Sequence, residues 1–285
     1  MKPEMPLPYD IAVVGLGVAG VHQATREVEE TIKRSSRVFV TDMALGVVEY
    51  LRTLCPTVTN LYTDYTVGSH RIEIYRRMAS VVVATALESA PVCFATYGHP
   101  KMYCYPTTLI QRAARVLDLN VTVLPGISSL DTLMVDLDID PAMDGLQMYE
   151  ATDVIVRRRP IQSDVPCVIL QAAIALDPYN NPGQSNAEGA ELLQNHLLQF
   201  YPADHRATLI VSRTHPLLDP IEVSFPIGEL AAAVSRSSNV ATMMIPPVHP
   251  RPVADDALAQ RMRLPQQPSR VEPRPGRPDI GPQPD

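Results

Sequence analysis

The sequence feature that most constrains the fold is the stretch IAVVGLGVAG at residues 11–20. Four apolar residues typical of a buried strand run directly into a glycine turn of the form G-x-G-x-x-G, and a helical segment is expected from about Val21. Strand, tight turn and helix in this order predict an α/β fold whose first turn passes close to a ligand or to packed backbone.

The same pattern is the fingerprint of dinucleotide-binding proteins, so an NAD-dependent dehydrogenase is one hypothesis. Asp42, which closes the second apolar run RVFVTD, stands where an acid would bind the ribose. We favour a plainer interpretation, in which Asp42 is a solvated acid after a strand.

Further apolar runs alternate with segments of helix length. Strands are predicted at 11–14, 37–41, 91–95 and 121–124, and helices at 21–35, 45–54, 71–89 and 105–117. This alternation predicts a parallel sheet covered on both faces.

From about residue 125 the strands follow one another more closely, which predicts a second, mixed sheet. Its strands are expected at 146–149, 165–175, 207–211, 221–226 and 241–245, with helices at 130–137, 187–199 and 227–235. We therefore expect an α/β protein with two α/β domains, residues 1–124 and 125–247, and a ligand cleft beyond the carboxyl ends of the strands. Nine prolines between His249 and Asp285, with few apolar residues, predict a disordered tail over 248–285.

Composition argues against several classes of function. A net charge of -7 and a pI near 5.5 provide no basic surface for nucleic acid or an anionic membrane. No apolar run approaches the ~20 residues that span a bilayer, and the first residues lack a signal-peptide pattern, so a cytoplasmic protein is expected. The cysteines form no C-x-x-C pair, which predicts buried thiols and no metal site; they are Cys55, Cys93, Cys104 and Cys167.

Two further strand ends carry distinctive loops, YGHP at residues 97–100 and LPGISS at residues 124–129. Together with the glycine-rich first strand, they resemble the tetrapyrrole methylase family of S-adenosylmethionine (SAM) dependent methyltransferases, which has G-D-P-like and G-I-S-S-like loops. The resemblance implies the class III methyltransferase fold, with SAM bent into the cleft between two α/β domains.

A narrower resemblance is to the borosin peptide backbone N-methyltransferases. His99 stands where most tetrapyrrole methylases have aspartate, and borosin-like segments occur at 136–141 (DLDIDP), 149–153 (YEATD) and 214–220 (THPLLDP). The resemblance extends from about Asp10 to Pro247. It implies methylation of backbone amide nitrogens in a ribosomal precursor peptide, by an enzyme that is a homodimer.

Methylation of a backbone amide demands a base, because the nitrogen lone pair is delocalised into the carbonyl group. Arg71 and Tyr75, at positions i and i+4 of a predicted helix, share one face, and a guanidinium beside a phenol favours the phenolate. We expect Tyr75, assisted by Arg71, to take the amide proton, while other tyrosine hydroxyls stabilise the carbonyl oxygen. By resemblance, the borosin catalytic cluster corresponds to Tyr62, Tyr65, Arg71, Tyr75 and Tyr97.

A structural interpretation of these residues stays open at this point. Each tyrosine could be half-buried with its hydroxyl bonded to backbone, and Arg71 could pair with Glu73 or Glu49 on the surface.

Residue-by-residue transfer from the family assigns the contacts to SAM, and to the product S-adenosylhomocysteine, to positions at strand ends. These cofactor-binding positions are Gly98, His99, Met102, Ser128, Ser129, Gln171, Ala241 and Thr242. Ser128 is equally suited to cap a helix, with Asp131 three residues later. His99 lies between glycine and proline, which favours a loop that contacts its ligand through backbone.

The source of the substrate is predicted from residues 251–285. Fungal borosin precursors fuse the methyltransferase to a hydrophobic core peptide, whereas this segment is polar and rich in proline, whose nitrogen has no proton to replace. We therefore expect a separate precursor peptide as substrate. Methylation of a tetrapyrrole or another small heterocycle, a dehydrogenase and a non-catalytic peptide-binding scaffold remain as alternatives.

Overall fold

The computed structural model describes residues 7–42, 44–64, 67–215, 217–249 and 251–263, with the side chain of Asp64 left out. Contacts divide the chain into two bodies, Met1–His249 and Pro250–Asp285. The first body contains two five-stranded sheets. The α/β fold with two sheets that the sequence predicts is thereby confirmed.

The first sheet is entirely parallel. Its strands are β1 (Ile11–Gly15), β2 (Arg37–Thr41), β3 (Val58–Asn60), β4 (Val92–Thr96) and β5 (Val121–Leu124), in the order β3-β2-β4-β1-β5. In the centre, Val13 of β1 lies opposite Phe94 and Val123, and all five residues of β1 are buried. Burial on both faces explains the continuous apolar run. β3, an edge strand of only three residues, was not predicted from the sequence.

Four helices cover this sheet: α1 (Arg26–Lys33), α2 (Val47–Leu54), α3 (Arg71–Ser89) and α4 (Tyr105–Val116). The bounds of α3 are those predicted. It buries Ile74, Met78, Val82 and Ala86 at four-residue spacing, and these side chains pack with Phe94 of β4. α1 and α2 cover the opposite face.

The helix expected from Val21 begins later than predicted. Only a 3-10 turn, Gly20–His22, follows the glycine motif, and α1 starts at Arg26. Thr25 caps α1 by accepting a hydrogen bond from the backbone N–H of Val28 at 3.2 Å, and acidic residues in the first turn favour a helix start there.

The second sheet is mixed, as predicted. Its strands are β6 (Gln147–Glu150), β7 (Cys167–Leu170), β8 (Arg206–Val211), β9 (Ile221–Pro226) and β10 (Thr242–Ile245), in the order β6-β7-β10-β8-β9. Only β6 and β7 pair in parallel. β7 is shorter than predicted because Gln171 adopts a left-handed backbone conformation, with φ of 61°, and a 3-10 turn, Ala172–Ile174, follows.

The helices around the second sheet are α5 (Ser129–Asp136), α6 (Pro141–Asp144), α7 (Ala151–Arg157), α8 (Ala187–Leu197) and α9 (Leu230–Ser235). Leu133 of α5 packs on one face of the sheet with Val168 and Met244, while α7, α8 and α9 contribute to the core on the other face. The short helices α6 and α7 were not predicted, since four to seven residues show little helical periodicity.

The second body contains a helix, α10 (Asp256–Met262), capped by Asp255, whose carboxylate accepts from the backbone N–H of Leu258 at 2.9 Å. Composition gave no indication of this helix within the tail predicted to be disordered. Residues 264–285 lie outside the described part of the chain, and the three predicted domain ranges stay predictions. Across the described ranges, none of the helices is long and apolar enough to cross a membrane.

Candidate functional site

Three glycines bring the carboxyl ends of β1, β4 and β5 into backbone contact. A Cβ atom on Gly15 would lie 2.5 Å from the carbonyl oxygen of Gly98, and one on Gly126 would lie 2.4 Å from the same oxygen. Gly17 and Gly98 also exchange backbone hydrogen bonds of 3.2 and 3.0 Å. Gly15 and Gly126 therefore allow close packing between loops, because a Cβ atom at either position would overlap neighbouring backbone. Gly98 has open space for a Cβ, and glycine there permits the left-handed φ of 65°.

This packing removes the structural basis of the dehydrogenase hypothesis. In dinucleotide-binding folds the pyrophosphate lies at the N-terminus of the helix that opens in the glycine turn. Here the glycines contact each other, and α1 begins only at Arg26.

Asp42 is buried, so the expectation of a solvated acid is wrong. Only 4% of its surface is exposed, and its Oδ1 accepts a hydrogen bond from the backbone N–H of Ala44 at 2.8 Å. The carboxylate thus shapes the turn after β2, a common role of aspartate. Removal of water from around Tyr97, and secondarily the charge of Asp42, raises the pKa of Tyr97.

Arg71 is held by the loop that follows β7. Its Nε donates a hydrogen bond to the carbonyl oxygen of Tyr179 at 2.9 Å, and its Nη2 lies 3.9 Å from Oδ2 of Asp177. The structure therefore does not show the alternative pairing with Glu73 or Glu49. Arg71 instead connects the start of α3 to the region of the second sheet.

Arg71, Tyr75 and Gln171 line one cavity of about 360 Å³. Its volume lies in the range of roughly 300–1,000 Å³ that is usual for small-molecule sites. Arg71 and Tyr75 are predicted catalytic residues and Gln171 is a predicted cofactor residue, and the structure brings the three together. The remaining lining residues are Lys101, Tyr103, Cys104, Tyr105 and Thr108.

Two tyrosines of this cavity, Tyr103 and Tyr105, were not predicted from the sequence. The ring of Tyr105 meets that of Tyr75 edge to face, with centroids 6.4 Å apart. Tyr103 has a left-handed backbone, with φ of 54°, and burial followed by the charges of Glu150 and Asp153 raises its pKa. The signal that could have revealed them is the segment KMYCYP, directly after the YGHP loop.

Of the other predicted catalytic tyrosines, Tyr62 and Tyr97 follow the carboxyl ends of β3 and β4, but neither is among the described residues that line the cavity. Burial raises the pKa of Tyr62, as desolvation does for Tyr97, although 45% of the Tyr97 surface is exposed. Both phenols therefore keep their protons at neutral pH and can donate hydrogen bonds. Their catalytic role stays a prediction, and Tyr65 lies outside the described residues.

The predicted cofactor residues of the YGHP and LPGISS loops have mainly local partners. Nδ1 of His99 accepts a hydrogen bond from the backbone N–H of Lys101 at 3.0 Å, within the same loop. Ser128 caps α5 in a capping box: its Oγ donates to Oδ2 of Asp131 at 2.6 Å and accepts from the Asp131 N–H at 3.3 Å. Ser129 is the first residue of α5.

Met102 belongs to the same loop as His99 but packs on the second sheet, in the cluster that contains Leu133 and Met244. This contact places the loop after β4 against the region that carries Gln171. Ala241 and Thr242 stand at the beginning of β10, with 1% and 9% of their surfaces exposed.

The pairing in the second sheet places the start of β10 at the same edge as the end of β7. Met243 of β10 pairs with Ile169 of β7 in antiparallel fashion, so Ala241 and Thr242, where β10 begins, lie at the edge where β7 ends and Gln171 follows. The predicted cofactor residues of this sheet thus share one edge. Their contacts with SAM stay predictions.

A metal site has no candidate in the part of the chain that the structure describes, where no three His, Cys, Asp or Glu side chains are grouped to hold an ion. Another depression, of about 400 Å³, lies between α8 and α9 and contains none of the predicted residues. Its lining residues include Glu191, Gln194, Asn195 and Glu229.

Comparison with known proteins agrees with the family that the motifs predict. Residues 10–213 match the family described as Tetrapyrrole (Corrin/Porphyrin) Methylases. The match covers most of the chain, from β1 to β8, and includes the YGHP and LPGISS loops.

Two relatives are named for peptide products. One relative is the methyltransferase and precursor of the ribosomally synthesized cyclic peptide dendrothelin A from Dendrothele bispora. The two sequences are 28% identical over 254 residues, and this alignment covers 88% of the chain and 61% of the relative. The chain is also 28% identical over 256 residues to a methyltransferase and type I borosin cyclic peptide precursor from Coprinopsis marcescibilis, covering 86% and 64%. The chain thus spans about three fifths of the length of these relatives.

The solved structure of uroporphyrin-III C-methyltransferase from Thermus thermophilus, complexed with S-adenyl homocysteine, has a similar fold. The TM-score is 0.57 at 15% identity, and the match covers 83% of this chain and 96% of that one. At this identity the likeness concerns the fold alone.

Proposed function

This chain belongs to the tetrapyrrole methylase family, and we propose that it transfers the methyl group of SAM to backbone amide nitrogens of a peptide. The observation that carries the proposal is the cavity in which Arg71 and Tyr75 of α3 meet Gln171 of the second sheet. The names of the two relatives, both precursors of ribosomal cyclic peptides, support a peptide substrate.

SAM, the cofactor of this family, supplies an electrophilic methyl group on sulfonium sulfur. The amide nitrogen must first give up its proton, because its lone pair is delocalised into the carbonyl group. Tyr75, as phenolate, accepts that proton, and the positive charge of Arg71 in the same cavity favours the phenolate form. The deprotonated nitrogen is the nucleophile that would receive the methyl group of bound SAM, and S-adenosylhomocysteine would be released.

Removal of the amide proton leaves negative charge on the carbonyl oxygen, and neutral phenols are suitable donors to it. Tyr62 and Tyr97 retain their protons because desolvation raises the pKa of each. In this proposal they stabilise the charged amide, and Gln171 contributes to binding of the cofactor at the edge of the second sheet.

Mass spectrometry tests the proposal. The protein is incubated with SAM carrying a labelled methyl group and, in parallel reactions, with uroporphyrinogen or with peptides that have an apolar segment near one end. Fragmentation is expected to locate labelled methyl groups on backbone nitrogens. Labelled uroporphyrinogen with unlabelled peptide would instead support the tetrapyrrole alternative, and the absence of methylated backbone nitrogen on every peptide would refute the proposal.

We further propose that the substrate is a separate peptide and not residues 251–285 of this chain. Proline is frequent in residues 251–285 of this chain, and a prolyl nitrogen carries no proton to replace. The intact masses of enzyme and peptide in the same incubation separate the two possibilities. Labelled peptide with unchanged enzyme mass is expected, whereas a labelled enzyme would show self-methylation.

A homodimer is proposed from the resemblance to the borosin methyltransferases. Analytical ultracentrifugation of the full chain is expected to give twice the chain mass, and a mass of 31.3 kDa at all concentrations would contradict the dimer.

A further inference from the structure

We infer that the segment after β7, residues 171–181, positions Arg71 for proton transfer, and that Asp177 is its key positioning residue. The inference rests on the proposed function, in which Arg71 favours the phenolate of Tyr75. Within residues 171–181, only Gln171 was predicted from the sequence to have a functional role, as a cofactor-binding residue.

The segment is paired through its backbone with the residues that lead into α3. Gly68 donates to the carbonyl oxygen of Asn180, and Asn180 donates to that of Ser69, both at 2.9 Å. His70 and Tyr179 form an antiparallel bridge, and their rings meet edge to face with centroids 5.6 Å apart. The first turn of α3 is thereby attached to the region of the second sheet.

The side chain of Arg71 is fixed by the same segment. The Arg71 backbone N–H donates to the carbonyl oxygen of Pro178 at 2.9 Å, and Nε donates to that of Tyr179 at 2.9 Å. Nη2 lies 3.9 Å from Oδ2 of Asp177, and the two side chains are only 20% and 13% exposed. A guanidinium has five N–H donors, so these contacts leave others for the cavity that Arg71 lines.

Asp177 is held in place by residues of its own loop as well as by Arg71. Its Oδ1 accepts from the backbone N–H of Tyr179 at 2.8 Å, and its Oδ2 accepts from Nδ2 of Asn181 at 3.2 Å. The carboxylate therefore has a defined position in the loop, independent of the arginine. A fixed negative charge at this point restricts where the guanidinium can lie.

The segment also connects Arg71 to the predicted cofactor edge. Gln171 begins it, and the 3-10 turn Ala172–Ile174 follows, with Ala172 and Ala173 fully buried. Ile174 donates to the carbonyl oxygen of Gln171, and Asp177 donates to that of Ile174, both at 3.1 Å. The backbone hydrogen bonds of this buried segment therefore fix the distance between Gln171 and Asp177, which contacts Arg71.

Asp177→Asn tests the role of the charge, because asparagine retains an oxygen for the Tyr179 N–H. We expect kcat for peptide methylation to fall about tenfold, the size of effect that follows loss of one partly buried ion pair. The KM for peptide and the Kd for SAM should stay within about twofold, since binding groups are unchanged. Asp177→Glu retains the charge and is expected to recover much of the rate.

The pH profile distinguishes positioning from a plain charge effect. If Asp177 holds Arg71 beside Tyr75, loss of the Asp177 charge moves the midpoint of the plot of kcat against pH to higher pH, because the guanidinium no longer favours the phenolate as strongly. If Asp177 only offsets the charge of Arg71, its loss moves the midpoint to lower pH, which would overturn the inference. The other charged or titratable groups around the pair are unchanged in the variant: His70, Lys101, Tyr103, Cys104, Tyr105 and Tyr179.

Asp136→Asn is the matched control. Asp136 lies 4.0 Å from Nε of Arg213, an ion pair of similar length that does not border the cavity. This variant is expected to keep the wild-type rate and pH midpoint. An equal loss in both variants would mean that the effect of Asp177→Asn is general destabilisation.

Amide hydrogen exchange provides a readout that needs no substrate. Faster exchange over residues 67–73 is expected in Asp177→Asn but not in Asp136→Asn, because the anchor of the first turn of α3 is weakened. Unchanged exchange in that segment would overturn the inference. If exchange rises while the wild type methylates no peptide, the proposed function fails and the anchoring by Asp177 stands.

Discussion

The two sheets contribute to the candidate site in different ways. The parallel first sheet and its helices carry the residues that we propose for the chemistry: Arg71 and Tyr75, which line the cavity, and Tyr62 and Tyr97, which follow the carboxyl ends of strands. The mixed second sheet supplies Gln171 and the loop that anchors Arg71. In the proposed mechanism, the reacting groups therefore come from the first region, while the position of Arg71 depends on the second.

This difference follows from how the sheets are built. Parallel strands bring all their carboxyl ends to one edge, so loops far apart in sequence meet there. In the second sheet, β7 and β10 run in opposite directions, and the shared edge combines the end of one strand with the beginning of the other. We therefore expect variants of the first region to lower the rate of methyl transfer and variants of the second to change cofactor binding or the placement of Arg71.

The largest expected effect is that of Tyr75→Phe. Loss of the proposed base should lower kcat by about 10²- to 10⁴-fold, the usual contribution of general base catalysis, while SAM binding is retained. Single-turnover kinetics and calorimetry measure the two quantities. Tyr50→Phe is the control, since the Tyr50 hydroxyl contacts Glu29 between α1 and α2 and should be dispensable. Near-normal turnover of Tyr75→Phe would exclude the phenol as base.

Arg71→Lys should lower kcat by about 10- to 100-fold, the equivalent of one lost charge-assisted hydrogen bond. Lysine keeps the charge but cannot reproduce the planar fork that bonds Tyr179 and faces Asp177. Arg157 forms an exposed ion pair with Asp153, and Arg157→Lys in the same kinetic assay provides the comparison. Equal activity of the two variants would contradict a specific role for Arg71.

Gly126→Ala tests whether the glycines serve packing. The added Cβ would lie 2.4 Å from the carbonyl oxygen of Gly98, so the free energy of unfolding should fall by about 1–3 kcal/mol. Gly46→Ala, where nothing lies within 4 Å but φ is 83°, should lose only the smaller cost of a left-handed residue, roughly 1 kcal/mol. Chemical denaturation measures both, and equal losses would argue against the contact.

Gln171→Asn should weaken SAM binding about tenfold, the equivalent of one hydrogen bond, while kcat at saturating SAM changes little. Asparagine tolerates the left-handed backbone at this position, with φ of 61°, so the fold should persist. Titration calorimetry with SAM checks the affinity. A lower kcat at unchanged affinity would place Gln171 with the chemistry of the first region instead.

The smallest expected effect is that of Tyr97→Phe. Because desolvation and Asp42 raise the pKa of Tyr97, its proton is retained across neutral pH, and the variant should lose only a few-fold in rate with no shift of the pH midpoint. The raised pKa also makes stability depend on pH. The phenol ionises near its reference pKa of about 10 in the unfolded chain but stays protonated to higher pH in the folded chain, so the free energy of unfolding falls as pH rises above about 10. Tyr97→Phe should show less of this fall in alkaline denaturation, and a shifted midpoint of kcat would contradict the donor role.

The sequence was sufficient for the parts of the fold that depend on local pattern. The apolar runs of β1, β2 and β5 gave these strands within one residue, and the helix-length segment between strands gave α3. Ser128 and Asp131 gave the cap of α5. β3 and the two short helices α6 and α7 escaped because three to seven residues do not establish a period.

The parts that escaped prediction depend on contacts between distant residues. Nothing in the glycine motif indicates that Gly15 packs on Gly98, and nothing near Arg71 indicates that its partner is Asp177, 106 residues later in the chain. The burial of Asp42 and the presence of Tyr105 beside Tyr75 are likewise set by packing between loops.

A crystal structure with S-adenosylhomocysteine and a substrate peptide is the most direct test of a transfer site shared by both sheets. We expect the sulfur in the cavity lined by Tyr75 and Gln171, with an amide nitrogen between the sulfur and the Tyr75 hydroxyl and within about 3–3.5 Å of the hydroxyl. Ligands bound elsewhere, or a Tyr75 hydroxyl remote from every peptide nitrogen, would contradict it.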